Sequence, residues 1–182
     1  MKTGAEALKL LRRHAAGNLD VQEAAMVSAT IRFVEEHEDC LLRSCVPGHL
    51  TGSAWIVDAT RTRTLLTHHR KLDKWLQLGG HADGEEDLLG VALREAREES
   101  GLARLRAISP DVFDVDRHWI PPRKTEPGHY HYDLRFLFEA DPDEPLVVTS
   151  ESKDLAWVAI VDVARLNPEE SMARMVRKTR GR

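Results

Sequence analysis

The stretch Gly79–Leu102, GGHADGEEDLLGVALREAREESGL, encodes a loop, a helix and a helix stop. Asp83 followed three residues later by Glu86 has the form of a capping box, and Gly101 stands where a left-handed residue ends a helix. The spacing predicts a helix from about 84 to 100. Leu89, Ala92, Leu93 and Ala96 recur at helical intervals and form an apolar stripe suited to packing on a sheet. The opposite face carries Glu95, Glu98 and Glu99 at i, i+3 and i+4. Like charges at that spacing destabilise an isolated helix by about 0.2–0.5 kcal/mol per pair, so a cation is expected among them. Arg94 supplies one, four residues before Glu98. Three carboxylates against one guanidinium still leave an acidic patch of oxygen donors, the ligand type of hard divalent ions. Most acidic helix faces are only solvated; here the fixed spacing of the flanking residues decides otherwise.

That spacing runs Gly80, five residues, Glu86, seven residues, then Arg94-Glu95-Ala96-Arg97-Glu98-Glu99-Ser100-Gly101-Leu102. It resembles the Nudix box without a departure. The preceding segment LLTHHRKLDKWLQLGGHADG, residues 65–84, resembles the strand and loop before the box in bacterial members. The resemblance implies an α+β Nudix fold, an α/β/α sandwich with a mixed β-sheet, and a pyrophosphohydrolase that needs Mg2+, with Mn2+ as a substitute. It implies that Glu95, Glu98 and Glu99 bind the metal, one of them also helping to deprotonate water. Arg94 then orients the carboxylates, Glu86 supports the metal shell or that arginine, and the Gly80 carbonyl adds an oxygen ligand.

Away from the box, residues 5–16 and 20–37 are rich in helix formers, with Asp20 placed as an N-cap. They predict an N-terminal helical extension over 1–45, followed by the Nudix domain over 46–182. Short β-rich runs follow from His49: LTGSAWIVDA, RTLLTHHR, VFDVDRHWI, HYDLRFLFEA and DLAWVAI, separated by turn-forming residues. A last helix is expected over 168–179 with Pro168 in its first turn, and RMVRKTRGR reads as a solvated basic tail.

At 182 residues, 42% hydrophobic and 31% charged, the chain has the composition of a folded domain rather than a disordered one. A net charge of -4 gives no global attraction for nucleic acid or an anionic membrane, so phosphate chemistry must be local. Cys40 and Cys45 fit neither a metal knuckle nor a disulfide framework; they read as unpaired thiols in a reducing cytoplasm. No segment has the apolar length of a membrane span or signal peptide, which makes the cytoplasm the expected location. Leu8, Leu11, Met26, Ile31 and Val34 oblige the helical extension to bury a face, and a homodimer is one expected solution.

Six histidines, His68, His69, His81, His118, His129 and His131, border the box in sequence. Strand alternation puts His129, His131 and Asp133 on one face, pointing to a substrate cleft or to solvent, with Tyr130 and Tyr132 on the other. His81, beside Gly80, is the best placed for phosphate contact or acid–base help near neutral pH. Arg70, Lys71, Lys74, Arg123 and Lys124 are candidate phosphate contacts, and Trp119 a candidate platform for a base. Within the resembled family a downstream proline marks ADP-ribose and a tyrosine marks dinucleoside polyphosphates. Position 118, sixteen residues past Leu102, is His, so neither marker is present. A nucleoside diphosphate linked to another moiety is the first expected substrate and a nucleoside triphosphate the second. A non-catalytic nucleotide-sensing domain would carry an eroded box, and an isopentenyl diphosphate isomerase would carry a cysteine in the sheet; neither pattern is seen.

Overall fold

The structure, a computed structural model, describes residues 3–123, 126–150 and 152–181. Its helices are α1 (Ala5–Ala15), α2 (Val21–Glu36), α3 (Leu88–Ser100), α4 (Val163–Leu166) and α5 (Glu170–Arg180). Its strands are β1 (Gly48–Val57), β2 (Arg63–His69), β3 (Lys74–Leu76), β4 (Leu78–His81), β5 (Arg106–Ala107), β6 (Asp114–Ile120), β7 (His129–Glu139) and β8 (Ser152–Ala159). All eight join one sheet along the path β3-β2-β1-β7-β5, with β4 on β1, β6 on β7 and β8 on β2. This is the expected α+β architecture with a mixed sheet and N-terminal helices. The short strands β3, β4 and β5 and the four-residue α4 are additions, because two to four residues carry too little periodicity to be read.

The chain divides into two compact units, the first made of Met1–Ser53, Gly80–Ala92 and Pro110–Phe136. Here Asp20 caps α2 as expected, its carboxylate accepting the Glu23 N–H at 2.8 Å. Glu23 itself is fully buried; its Oε1 meets His14 Nε2 at 2.7 Å and the Val115 N–H at 3.3 Å, which ties α1 and α2 to β6. Phe33 stacks on Tyr132 with ring centroids 4.0 Å apart. Leu11, Val27 and Val34 are buried, while Leu8, Met26 and Ile31 of the hairpin are half-buried. Gly52 lets α3 approach β1, since a Cβ there would lie 2.6 Å from the Leu88 carbonyl oxygen.

The second unit comprises Ala54–Gly79, Leu93–Ser109 and Leu137–Arg182. Strand β2 pairs with β8 over Arg63↔Ala159 to His69↔Ser152. The buried Trp55 indole donates to Thr179 Oγ1 at 2.8 Å, anchoring α5. Helix α5 begins after an N-cap at Glu169, so Pro168 precedes the cap rather than occupying the first turn. The basic C-terminus is not a solvated tail: α5 runs to Arg180, with Met172, Arg174, Met175 and Thr179 buried. These residues fall on one face of a helix, and burying the two methionines outweighs the pull of water on the neighbouring charges.

Candidate active site on helix α3

The helix of the box starts later than the sequence predicts. Asp83 takes a left-handed φ of 51° and Gly84 one of 93°, which makes a turn there and removes Asp83 as a cap. Asp83 pairs instead with Arg43, whose Nε and Nη2 lie 2.6 Å from its two oxygens. Asp87 takes over the capping, accepting the Gly90 N–H at 2.9 Å. Gly101, with φ 75°, stops the helix as expected, and its N–H returns to the Arg97 carbonyl at 2.8 Å. The buried face is Leu88, Val91, Ala92 and Ala96, whereas Leu89 and Leu93 of the expected stripe are only half-buried.

The acidic face is then turned away from that core. Arg94 Nη1 sits 2.5 Å from Glu95 Oε1 and 3.7 Å from Glu98 Oε2, so one guanidinium spans two carboxylates. The Glu98 side chain is 63% exposed against 19% for Glu95. Glu99 Oε2 accepts the N–H of Gly79, the residue before Gly80, at 3.3 Å. Glu86 is tied to the N-terminus, its Oε1 accepting the Gly4 N–H at 2.8 Å. Its Oε2 is buried with no hydrogen-bond partner among the described residues. The carboxylates of Glu95, Glu98 and Glu99 form an all-oxygen donor set with two negative charges in excess of Arg94, which fits a hard divalent ion.

A second constellation lies wholly in the first unit. His118 and His131 are cross-strand partners on β6 and β7. His49 at the start of β1 has its ring centroid 5.0 Å from His81, 4.9 Å from His129 and 4.8 Å from His131. Tyr130 O lies 2.3 Å from where a Cβ of Gly48 would stand, so only glycine lets β1 come this close to β7. The row His129, His131, Asp133 shares one face as expected, but that face is buried or half-buried and is not a solvent row. Burial, with neighbouring imidazoles and Arg43, pushes His49 and His81 down to about 4; burial with His118 pushes His131 down to about 2. Both effects favour the neutral form of the His81 ring.

Beneath the histidines, Asp133 accepts Thr51 Oγ1 at 2.8 Å, Ser53 Oγ at 2.7 Å and Arg135 Nε at 2.9 Å. Arg135, 3% exposed, also reaches Asp114 at 3.2 Å and Asp116 at 3.4 Å. Burial opposes its charge, yet these three carboxylates hold its pKa above the usual arginine range. Neither His49 nor this network was singled out from sequence. The available signal was alternation along HYHYDLRF, which places His129, His131, Asp133 and Arg135 on one face.

The remaining candidates are dispersed. Arg70 donates to the carbonyls of Ser150 and Ser152, both at 2.9 Å, so two of its donor groups are engaged by backbone. Lys74 is paired with Glu169. Lys71 is exposed, Arg123 forms an isolated bridge with Glu126, and Lys124 lies outside the described residues. Trp119 is 51% exposed and stands edge-on to Tyr130 at 4.9 Å, away from the core. Cys40 and Cys45 are buried and not joined in a disulfide, and burial and Asp39 push the Cys45 thiol up to about 12. Among the described residues no helix is long and apolar enough to cross a membrane.

Comparison with known proteins gives a family by sequence profile and a matching fold by structure. A family profile described as NUDIX domain matches residues 49–179. No curated protein matches the chain by sequence. A C. elegans Ap4A hydrolase structure superposes with a TM-score of 0.58 at 18% identity, covering 72% of this chain and 95% of that one. A NUDIX family hydrolase from Clostridium perfringens gives 0.53 at 24% identity over 72% and 96% of the two chains. The E. coli dihydroneopterin triphosphate pyrophosphohydrolase gives 0.54 at 17% identity over 71% and 92%. At those identities the structures speak for the fold, while the profile and the complete box at Gly80–Leu102 speak for descent. The chain therefore belongs to the Nudix family and is a pyrophosphohydrolase.

Proposed function

We propose that this chain hydrolyses the diphosphate of a nucleoside diphosphate joined to another moiety, using Mg2+ and releasing a nucleoside monophosphate and a phosphorylated second half. The observation that carries the reading is the acidic face of α3: Glu95, Glu98 and Glu99 share one side, and Arg94 spans the first two. Glu95, Glu98 and Glu99 hold the ion, joined by the Gly80 carbonyl and supported by Glu86, the roles the box implies. When bound, the ion supplies positive charge that neutralises phosphate oxygens and acidifies water. The oxygen of a water forms a bond to one phosphorus, the bridging P–O bond breaks, and the proton passes to a carboxylate. Glu98 is assigned as that acceptor because it is the most exposed of the Arg94-bridged pair and the less tightly held. Arg94 keeps the three like charges at workable separation and orients Glu95.

The test is a screen with Mg2+ of nucleoside diphosphate sugars, ADP-ribose, dinucleoside polyphosphates, CDP-alcohols and nucleoside triphosphates, with wild type and Glu98→Gln in parallel. Turnover confined to diphosphate-linked compounds and lost in the variant is the expected result. Turnover of triphosphates with release of inorganic diphosphate assigns the second substrate class instead. Binding of nucleotides without turnover overturns the hydrolytic reading in favour of a sensing domain.

A further inference from the structure

We propose that His49, His129 and His131 form a second metal site, separate from the carboxylates of α3, which takes a borderline divalent cation of the zinc type. Each of the three offers one ring nitrogen, and these atoms lie within 4.8 Å of one another. The Nε2 atoms of His129 and His131 are 3.2 Å apart. Two nitrogens bound at about 2.0–2.1 Å to a tetrahedral ion stand about 3.3 Å from each other, so this pair already has the separation of a ligand edge. His129 Nδ1 lies 3.0 Å from the Pro127 carbonyl, a bond in which the nitrogen must donate. That fixes the tautomer and leaves the Nε2 lone pair facing His131, the arrangement by which a backbone carbonyl orients a metal-ligating imidazole.

The independent observation is His49. Its side chain is buried, at 3% exposure, and among the described residues neither Nδ1 nor Nε2 has a hydrogen-bond partner. A neutral imidazole has one donor and one acceptor, and burying both unmatched is costly unless something coordinates the lone pair. The ring packs at 4.8–4.9 Å from those of His129 and His131, which directs it into the cluster. A nitrogen-only donor set disfavours Mg2+, which requires oxygens, and suits Zn2+ or Co2+. Held by three uncharged ligands, the ion retains its charge and an open position, so the ligand it accepts is an anionic oxygen such as phosphate or carboxylate. The proposal does not depend on the hydrolytic reading of α3.

The experiment strips the full chain with a chelator, reloads it with Zn2+, desalts it and measures metal content, for wild type, Glu98→Gln, His49→Asn and His131→Asn. About one equivalent of zinc retained by wild type and Glu98→Gln, falling about tenfold or more in both histidine variants, is the expected result. Zinc that does not survive desalting in the wild type, or that is held equally by the histidine variants, overturns it. Should a variant fail to fold, Co2+ loading of the wild type carries the test alone. Visible bands of tetrahedral cobalt that added Zn2+ abolishes support the site, and an octahedral spectrum overturns it.

Discussion

Glu98 and Arg135 show how differently a charge can be used in one chain. Glu98 is 63% exposed and shares Arg94 with Glu95, so neutralising it is expected to leave the fold in place and, in the proposed mechanism, to remove a charge that acts on metal and substrate. Glu98→Gln is expected to lower kcat by about 100-fold or more, in line with losses when one electrostatic group is removed from an active site, with the melting temperature unchanged. Steady-state kinetics beside thermal unfolding checks this; a variant of equal kcat would move the proton acceptor elsewhere. Arg135 is the opposite case, 3% exposed and serving Asp114, Asp116 and Asp133 together. Arg135→Met strands three carboxylates and is expected to cost about 3–5 kcal/mol, the usual penalty for breaking a buried ion pair from one side. Urea unfolding reads that loss, and a cost under about 1 kcal/mol would mean the carboxylates find water or protons instead.

At the level of elements, two short passages control where strands and helix sit. In the turn after β1, Asp58 is 3% exposed and accepts the N–H groups of Thr62 and Arg63 at 2.8 and 2.9 Å and the Thr60 hydroxyl at 2.7 Å. Burial alone would raise its pKa, but these donors outweigh it and hold the carboxyl below its usual 3.8. A depressed folded pKa contributes stability above the unfolded value, which is lost as pH falls through the folded one. Asp58→Asn is therefore expected to be less stable than wild type by about 1–3 kcal/mol at pH 7. The gap should narrow below pH 3.8, and a gap independent of pH would trace the loss to geometry rather than charge. Gly52 controls the seat of α3. A methyl there meets the Leu88 carbonyl at 2.6 Å, and a backbone atom cannot swing aside. Gly52→Ala is expected to cost about 1–3 kcal/mol by overpacking and to lower activity as well, since α3 carries the three glutamates. Unchanged activity in a destabilised variant would separate the start of the helix from its catalytic face.

For the molecule as a whole, the N-terminal helices are a structural part of the first unit. Leu11 and Ala7 are at most 1% exposed, Gly4 donates to Glu86, and His14 meets Glu23. Removing residues 1–17 exposes those partners and is expected to lower Tm by about 5–10 °C, taking about 2–4 °C for each kcal/mol lost in a chain this long. A truncated chain that melts with wild type would make the helices an appendage. Much was legible beforehand because it is local. The box residues lie within one 23-residue run, so the motif from Gly80 to Leu102 could be read from the chain alone, and the family resemblance implies their roles. The same holds for the Asp20 cap and the Gly101 stop, which depend on their immediate neighbours. The true start of α3 was not legible, because Asp83 answers to Arg43, forty residues away, and Glu86 to Gly4. Nor was the histidine cluster: His49 and His131 are eighty-two residues apart, and only the close approach of β1 to β7 at Gly48 brings them together. The sequence by itself determined the acidic helix face and the helix formers of the N-terminus, set by periodicity within a few turns, and it carried the motif by which the family is recognised. Tertiary structure alone decided which polar groups are buried and what they meet, because desolvation and strand pairing join residues that local spacing cannot connect.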